Sequence, residues 1–476
     1  MVKQTAGKKD IYFIGVKGVG MTMLAQFLAR QGHRVSGSDT AETFMTDSVL
    51  RSARIKVYSP FSAKNMPADI DRIVYSSAYN ERNNPELGFI AQEARRFKNI
   101  PVLPYAVALG EVFNQHYGIA VCGSHGKTTT TAWLGYVLWR AGQRPNVLVG
   151  ARVPQFRGSS LTGRSRQLVA ETDEYQNKLQ YYRPRGVILN NIDYDHPDFF
   201  RTKAAYVKVF ADFLKKIPAA GFLIINRRDA LSRQISRHCA GRIISYDLVT
   251  GDYGHGADYL AYDRKTTKGG QSFQLAYQGR PLGEFKIGLW GEHNILNALA
   301  VIAAARRLGV SWPLIKRHLA GFKGIERRAQ ALGSYRGALI VDDYAHHPTE
   351  IKAALDGLRS RYPGKRLITV FHPHTFTRTK ALFSDFRRSF AATDELIILD
   401  IYGSAREQQG GVSSRQLAQA VREFNRTRRS VQPVRHIPDI PAAVAYLRRH
   451  LKSGHILVLM GAGDVFRIGQ KLLNKL

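Results

Sequence analysis

Cysteine is almost missing: Cys122 and Cys239 are the only two in 476 residues. Two cysteines cannot build a disulfide framework, and a reducing, cytoplasmic setting is expected. Long apolar runs are missing as well. Stretches such as "ELIILDIY" and "HILVLM" have the length of buried strands. They fall far below the roughly 20 residues of a membrane span, so no membrane insertion is expected. The opening "MVKQTAGKKDIYFIGV" is basic, but its apolar run is too short for a signal-peptide core and a glycine turn follows at once. Acidic residues are scarce, 37 against 70 basic ones, which leaves a net charge of +33. The excess is largest in the middle part but is found in all three. Basic and acidic residues number 15 and 10 in 1–113, 30 and 14 in 114–323, and 25 and 13 in 324–476. There is no run of five like charges, no basic tail, no repeat and no low-complexity segment. Such a spread reads mainly as a solvated surface suited to anionic ligands, and only secondarily as a nucleic-acid footprint.

What is present is ordinary for a soluble globular chain: 44% hydrophobic and 22% charged residues. The length exceeds one core and calls for two to four domains. Three systems of strands alternating with helices can be read. The first opens with "DIYFIGVKGVGMTMLAQFLARQGHRVSGSD" and includes "DRIVYSSAY" and "IPVLPYA". The second opens with "YGIAVCGSHGKTTTTAWLGYVLWRAG", continues through "GVILNNIDYDH" and "GFLIINRRD", and closes with the helix "EHNILNALAVIAAARRLG". The third holds "GALIVDDYAHHPTEIKAAL", "RLITVFHPHTFTRTKALF", "ELIILDIY" and "HILVLMGAGD". This alternation predicts an α/β protein of parallel sheets covered on both faces, with ligands beyond the strand C-termini. Boundaries are expected near Phe113/Asn114 and Lys323/Gly324, giving domains 1–113, 114–323 and 324–476. Glycines around 250–270 suggest hairpin turns inserted in the middle domain.

Four motifs carry chemistry. In "AVCGSHGKTTTTAW" a strand bends through Gly123 and Gly126 and opens a helix at Lys127. Backbone N–H groups of such a turn bind phosphate oxygens, and Lys127 would reach the terminal phosphates. Thr128 is placed to offer its hydroxyl to Mg²⁺. Val121 stands where the full P-loop pattern has its first glycine, so this is a shortened variant. In "VAETDEYQNKLQYYRPRGVILNNIDYDHPDFF", Glu171 follows an apolar pair as a strand-end carboxylate would, and His196 ends the next strand-like run. The two suit Mg²⁺ ions bridging phosphate oxygens; a solvated acidic turn with a satisfied histidine fits the same spacing. "GVKGVG" places Gly15, Gly18 and Gly20 before a helix, with Asp39 about twenty residues on in reach of a ribose. It is not the dinucleotide fingerprint, and a nucleotide-sugar fits it as well as NAD. "DDYAHHPTE" and "FHPHTFTRT" gather Asp342, Asp343, Tyr344, His346, His347, His372, His374 and Arg378. Without helical ligand spacing they read as polar recognition of a small substrate and ATP rather than as a metal site.

In this order the motifs resemble the Mur ligases of peptidoglycan synthesis along nearly the whole chain. "FIGVKGVGM" and "VSGSD" are similar to the UDP-binding domain, "GSHGKTTTTA" to the ATP loop and "AETDEY…NNIDYDH" to the magnesium region. "GEHNILNALA" and "FKGIERR" are similar to the adenine side and hinge, and "DDYAHHPTE", "FHPHTFTRT" and "GAGD" to the C-terminal domain. The resemblance implies a Rossmann-like N-terminal domain, a central P-loop ATPase-like domain and a Rossmann-like C-terminal domain. ATP would bind between the central and C-terminal domains. The lactyl carboxylate of UDP-N-acetylmuramate would attack the γ-phosphate, and the amine of L-alanine would then displace phosphate from the acyl phosphate. The same resemblance implies ATP contacts from Gly123, Ser124, His125, Gly126, Lys127, Thr128, Thr129, Asn294, Asn297, Arg327 and Asp343. It implies Mg²⁺ ligands Thr128, Glu171 and His196, and a nucleotide-sugar turn of Gly15, Gly18, Gly20, Asp39 and Ser76. Tyr344, His346 and Arg378 would form the amino-acid pocket, with Lys127, Glu171, His196 and Arg378 carrying the chemistry in a monomer or homodimer.

The chain departs from the family pattern at Lys17, where a glycine is usual, and at Tyr105 and Val107, where many members carry Arg and Glu. Gln176 stands where Asp is usual, and Thr375 where some members have Arg. A related ligase that adds a peptide to UDP-N-acetylmuramate is the nearest rival reading, and a nucleic-acid-binding ATPase is favoured by charge alone. The nucleic-acid reading lacks base-stacking aromatics on a basic face. For Arg378, an ordinary surface arginine remains the plain alternative.

Overall fold

The structure is a computed structural model that describes residues 7–249, 256–403, 407 and 409–474. The chain divides into two compact units. One comprises 1–191, 209–246 and 300–322; the other comprises 192–208, 247–299 and 323–476.

The first unit holds two sheets. In the N-terminal sheet the strands Lys56–Tyr58, Arg34–Ser38, Asp10–Ile14, Arg72–Tyr75 and Val102–Pro104 lie side by side in that order, all parallel. This 3-2-1-4-5 order is the Rossmann arrangement, and its reversal point falls beside the first strand, where a ligand crevice forms. The second sheet is built around Tyr117–Cys122, flanked by Gln167–Glu171 and Gly186–Leu189, again parallel. Phe222–Asn226 and Arg242–Leu248 extend one side, Asn146–Val153 and the antiparallel Gly158–Leu161 the other. These strands are near-continuous apolar runs because helices cover both faces. Trp133, wholly buried, stacks on Phe322 at 5.2 Å and donates its indole N–H to the Leu319 carbonyl at 3.1 Å.

The two sheets of this unit are locked together. Gln26, on the helix Val19–Arg30, is fully buried and accepts from Ser159 N at 2.9 Å and Ser160 Oγ at 3.0 Å. Arg30 donates to the Ser160 carbonyl. A Cβ at Gly158 would lie 2.3 Å from the Gln26 amide, so only glycine admits this approach.

The second unit contains the C-terminal sheet. Its order is Gln330–Tyr335, Ala338–Asp343, Ile456–Met460, Leu367–Phe371, Glu395–Ile398 and Val434–His436, parallel except for the first strand. Separate apolar clusters cover its two faces. The strands Tyr259–Thr267, Gly270–Tyr277 and Arg280–Ile287 form an antiparallel meander. Hairpins therefore occur as the glycines suggest, while residues 250–255 of that stretch lie outside the described residues. By strand order the meander continues the sheet built around Tyr117–Cys122, while its residues group with the second unit. Among the described residues no helix is long and apolar enough to cross a membrane.

Candidate active site

The phosphate turn grows from the strand Tyr117–Cys122 and ends at the helix Lys127–Arg140. Gly123 has φ +120° and Gly126, the N-cap, φ +79°; both need glycine. At Gly123 a Cβ would also meet the Asn191 carbonyl at 2.7 Å. Asn191 braces the turn: its carbonyl accepts from Ser124 N at 3.1 Å and its side-chain oxygen from His125 N at 2.9 Å. Asn190 donates to the His125 carbonyl at 3.2 Å and to Thr130 Oγ1 at 3.0 Å. Both asparagines lie just past the strand Gly186–Leu189, so strand register fixes the turn. The sequence reading missed them.

Lys127 folds back over the turn to the carbonyls of Gly123 and Ser124, and it meets Glu174 Oε2 at 3.2 Å. Burial lowers its pKa, but the carboxylates of Glu174, Asp173 and Glu171 outweigh burial and raise it, so the cation is firmly held. Glu174, only 1% exposed, was also missed, although it sits inside the quoted "AETDEY". Thr128 donates its hydroxyl to Glu171 Oε1 at 2.8 Å, and Gly150 N donates to Oε2 at 2.7 Å. Burial raises the pKa of Glu171, while Thr128, Gly150 and Lys127 oppose that rise. Glu171 ends the strand Gln167–Glu171, as expected. A hydroxyl and a carboxylate this close are hard oxygen donors of the kind Mg²⁺ takes. The remaining threonines Thr129, Thr130 and Thr131 are all buried, and Thr131 donates its hydroxyl to the Lys127 carbonyl at 2.8 Å.

At the N-terminal sheet, Gly15 turns at φ +83°, and its N–H and that of Val16 donate to the Ser38 carbonyl. Gly18 caps the helix Val19–Arg30 at an ordinary φ of −57°. Gly20 is needed for space: a Cβ there would lie 2.6 Å from the Tyr105 hydroxyl. Asp39 follows its strand directly but is 2% exposed, and its two oxygens accept from Lys17 N at 2.6 Å and Thr40 N at 2.8 Å. It braces the turn. Ser76 donates its backbone N–H to the Ile14 carbonyl at 2.9 Å, beside the same turn.

The strand "GVIL" ends at Leu189, in the first unit, so His196, in the second, does not end a strand. It lies seven residues beyond, in the left-handed region at φ +58°. The extended run stops because Asn190 and Asn191 are drawn onto the phosphate turn. His196 N donates to Asp195 Oδ1 at 2.7 Å. The same carboxylate takes Arg378, whose Nε donates at 2.8 Å and Nη2 at 3.3 Å. Asp195 thus joins the proposed metal ligand to the proposed carboxylate ligand, and the sequence reading missed it. Burial pushes the Asp195 pKa up, but Arg378 and His196 hold it well below the carboxylate range. Arg378 is 6% exposed, which removes the surface-arginine alternative. Its helix Phe376–Ala381 follows the strand Leu367–Phe371. His346 takes its place beside this pair: burial and Arg378 push its pKa down to about 3, so it is neutral. Its Nδ1 lies 3.0 Å from the Tyr344 carbonyl, and its ring meets His374 edge to face at 6.4 Å. His347 caps the helix Pro348–Arg361.

Arg327, at φ +58°, sends Nε to Asp342 at 3.1 Å and Nη2 to the carbonyls of Gly461 at 2.7 Å and Gly463 at 3.1 Å. Its guanidinium covers the Tyr344 ring at 4.9 Å. Asp343 accepts from Ala329 N and Ala345 N, each at 2.8 Å, and so shapes the loop that carries Tyr344. Asn294 donates to the Trp290 carbonyl at 2.7 Å, and Asn297 to Asn294 Oδ1 at 3.3 Å.

Comparison with known proteins agrees with this layout. The model of the Mur ligase family catalytic domain matches residues 10–117, that of the middle domain 121–305, and that of the glutamate ligase domain 327–463. A UDP-N-acetylmuramate–L-alanine ligase of Desulfitobacterium hafniense is 39% identical over 468 residues, 97% of this chain and 99% of the relative. The enzyme of that name from Aquifex aeolicus is 35% identical over 469 residues, 98% of each chain. Among solved structures, the UDP-N-acetylmuramate–alanine ligase of Thermotoga maritima superposes with a TM-score of 0.80 at 22% identity, over 98% of this chain and 99% of the other. A murein peptide ligase of Psychrobacter arcticus gives 0.73 at 24% identity, over 98% of each, so the three-domain α/β fold is common to both activities. Three family domains in order, and relatives above 30% identity along nearly the entire length, place this chain in the Mur ligase family, among its UDP-N-acetylmuramate–L-alanine ligases.

Proposed function

We propose that the chain joins L-alanine to the lactyl carboxylate of UDP-N-acetylmuramate, with ATP cleaved to ADP and phosphate. The observation that carries this reading is the 39% identity to an alanine-adding enzyme across both full lengths. The geometry supplies a physical route. A carboxylate and a γ-phosphate repel each other, so a fixed cation must stand where they meet. Lys127 is such a cation, held at a helix N-terminus by buried Glu174. Thr128 and Glu171 are the residues that would hold one Mg²⁺, and His196 would serve a second; such ions when bound would neutralise phosphate charge and align the transfer.

The carboxylate oxygen takes the γ-phosphoryl group and ADP leaves. The alanine amine then adds to the acyl carbon, and the tetrahedral adduct expels phosphate. The turn Gly15–Gly20 binds the diphosphate of the nucleotide-sugar, and Asn294, Asn297 and Arg327 serve the ATP side. Arg378 holds the alanine carboxylate through Nη1, since Nε and Nη2 are committed to Asp195. Acyl phosphates hydrolyse readily, so the reaction also requires exclusion of water during transfer. The test is ADP release with UDP-N-acetylmuramate and either L-alanine or the murein tripeptide. Turnover with alanine alone is expected; equal or faster turnover with tripeptide overturns the reading in favour of the peptide-adding activity.

A further inference from the structure

Lys17 stands where the family pattern has glycine, yet almost every polar atom it owns is engaged. Its backbone N–H donates to Asp39 Oδ2 at 2.6 Å, and its carbonyl accepts from Thr46 Oγ1 at 2.6 Å. Its ammonium donates to the carbonyls of Thr40 at 2.8 Å and Glu42 at 2.6 Å. The Asp47 carboxylate lies 3.8 Å from the ammonium, and the Phe44 ring centroid 5.6 Å. Lys17 is 7% exposed. The segment it grips, 40–46, has no helix or strand of its own and is largely exposed. A buried cation satisfied mainly by backbone carbonyls of one loop is a strap: without it those carbonyls gain nothing by staying together.

The place of the strap gives it a purpose. It starts in the glycine turn after Asp10–Ile14 and ends on the loop after Arg34–Ser38, the two neighbouring strands at the sheet's reversal point. Ligands of such sheets occupy that end. The strapped loop also presents two adjacent exposed apolar side chains, Phe44 at 39% and Met45 at 43%. We infer that Lys17 is a positioning residue: its ammonium preforms the segment 40–46 as a wall of the nucleotide-sugar site, with Phe44 offered to the flat base of the nucleotide. This rests on the nucleotide-sugar reading of the glycine turn.

The preforming has a stated size. If the unstrapped loop keeps its bound shape only about a tenth of the time, apparent affinity falls about tenfold while turnover at saturation is unchanged. The experiment compares Lys17→Met, Lys17→Arg, Thr46→Val and Phe44→Ala with wild type. It measures UDP affinity by calorimetry, KM for all three substrates, kcat and thermal midpoint. Lys17→Met, Thr46→Val and Phe44→Ala should each raise the UDP Kd and the UDP-N-acetylmuramate KM, by about tenfold for Lys17→Met. KM for ATP and alanine, and kcat, should stay put, and Lys17→Arg should recover most of the loss. Phe44→Ala should add little once Lys17→Met is present, because both act through one loop. Unchanged UDP affinity in Thr46→Val and Phe44→Ala overturns the inference even if Lys17→Met fails to fold. A wild type that neither binds UDP nor turns over UDP-N-acetylmuramate would instead refute the reading of the turn.

Discussion

Replacing Arg378 with lysine keeps the charge and removes the fork. Nε and Nη2 hold Asp195 at 2.8 and 3.3 Å, while Nη1 reaches only His374, at 3.4 and 3.5 Å. A lysine ammonium can pair with Asp195 but cannot serve that carboxylate and a second one along fixed directions. Losing one charged hydrogen bond costs about 1.5–3 kcal/mol. If that bond is the one to substrate, KM for L-alanine rises by roughly 10- to 150-fold in Arg378→Lys. The KM values for ATP and UDP-N-acetylmuramate should stay within about twofold. Arg378→Met separates structure from function, because it leaves the buried Asp195 carboxylate without its partner. That loss is worth about 3–5 kcal/mol, or roughly 6–20 °C in midpoint for a body of this size, and adding Asp195→Asn should recover much of it. The pH cannot mimic these variants at neutrality. The folded Asp195 pKa is depressed, so its stabilisation is complete above about pH 4 and is lost only as pH falls through the lower folded value. The assay is ADP release over three substrate titrations, paired with thermal denaturation. An unchanged alanine KM in Arg378→Lys, or an equal loss for all three substrates, refutes the assignment.

Lys127→Ala should lower ligation by about 10²–10⁴ with UDP-N-acetylmuramate binding nearly intact; more than a tenth of wild-type turnover would contradict the role of the lysine. Glu171→Gln and His196→Ala should each raise the Mg²⁺ concentration needed for half-maximal rate, and wild-type titrations in both would remove the proposed ligands. Gly20→Ala should destabilise by about 1–3 kcal/mol, since its methyl group would meet the Tyr105 ring and hydroxyl; Tyr105→Ala in the same chain should relieve it, read by thermal midpoint. Acid should weaken the fold through His346, whose folded pKa is about 3. The unfolded chain takes that proton first, so the contribution is complete above about pH 6.5 and shrinks as pH falls toward the folded value. His346→Gln should flatten that slope in midpoint measured against pH.

Local chemistry was legible in the sequence wherever the backbone itself makes the feature. Gly123 and Gly126 must be glycine because their φ is positive, and Lys127 follows at a helix start, so the phosphate turn could be read from adjacent residues alone. Alternating apolar strands and helices dictated parallel sheets, and Glu171, Asp343 and Arg378 fell at or just beyond strand C-termini as that architecture requires. The tertiary structure decided which side chains meet. Glu174 reaches Lys127 across 47 positions, Asp195 reaches Arg378 across 183, and Tyr105 fills the space that Gly20 leaves open. His196 left its strand because two asparagines before it were drawn to a turn 65 residues earlier in the chain. Lys17 looked like an intruder in a glycine loop and proved to be buried against backbone carbonyls more than twenty residues away. Such pairings depend on strand register and loop closure, which no local pattern encodes; a carboxylate in a polar loop reads the same in sequence whether it faces water or a buried cation.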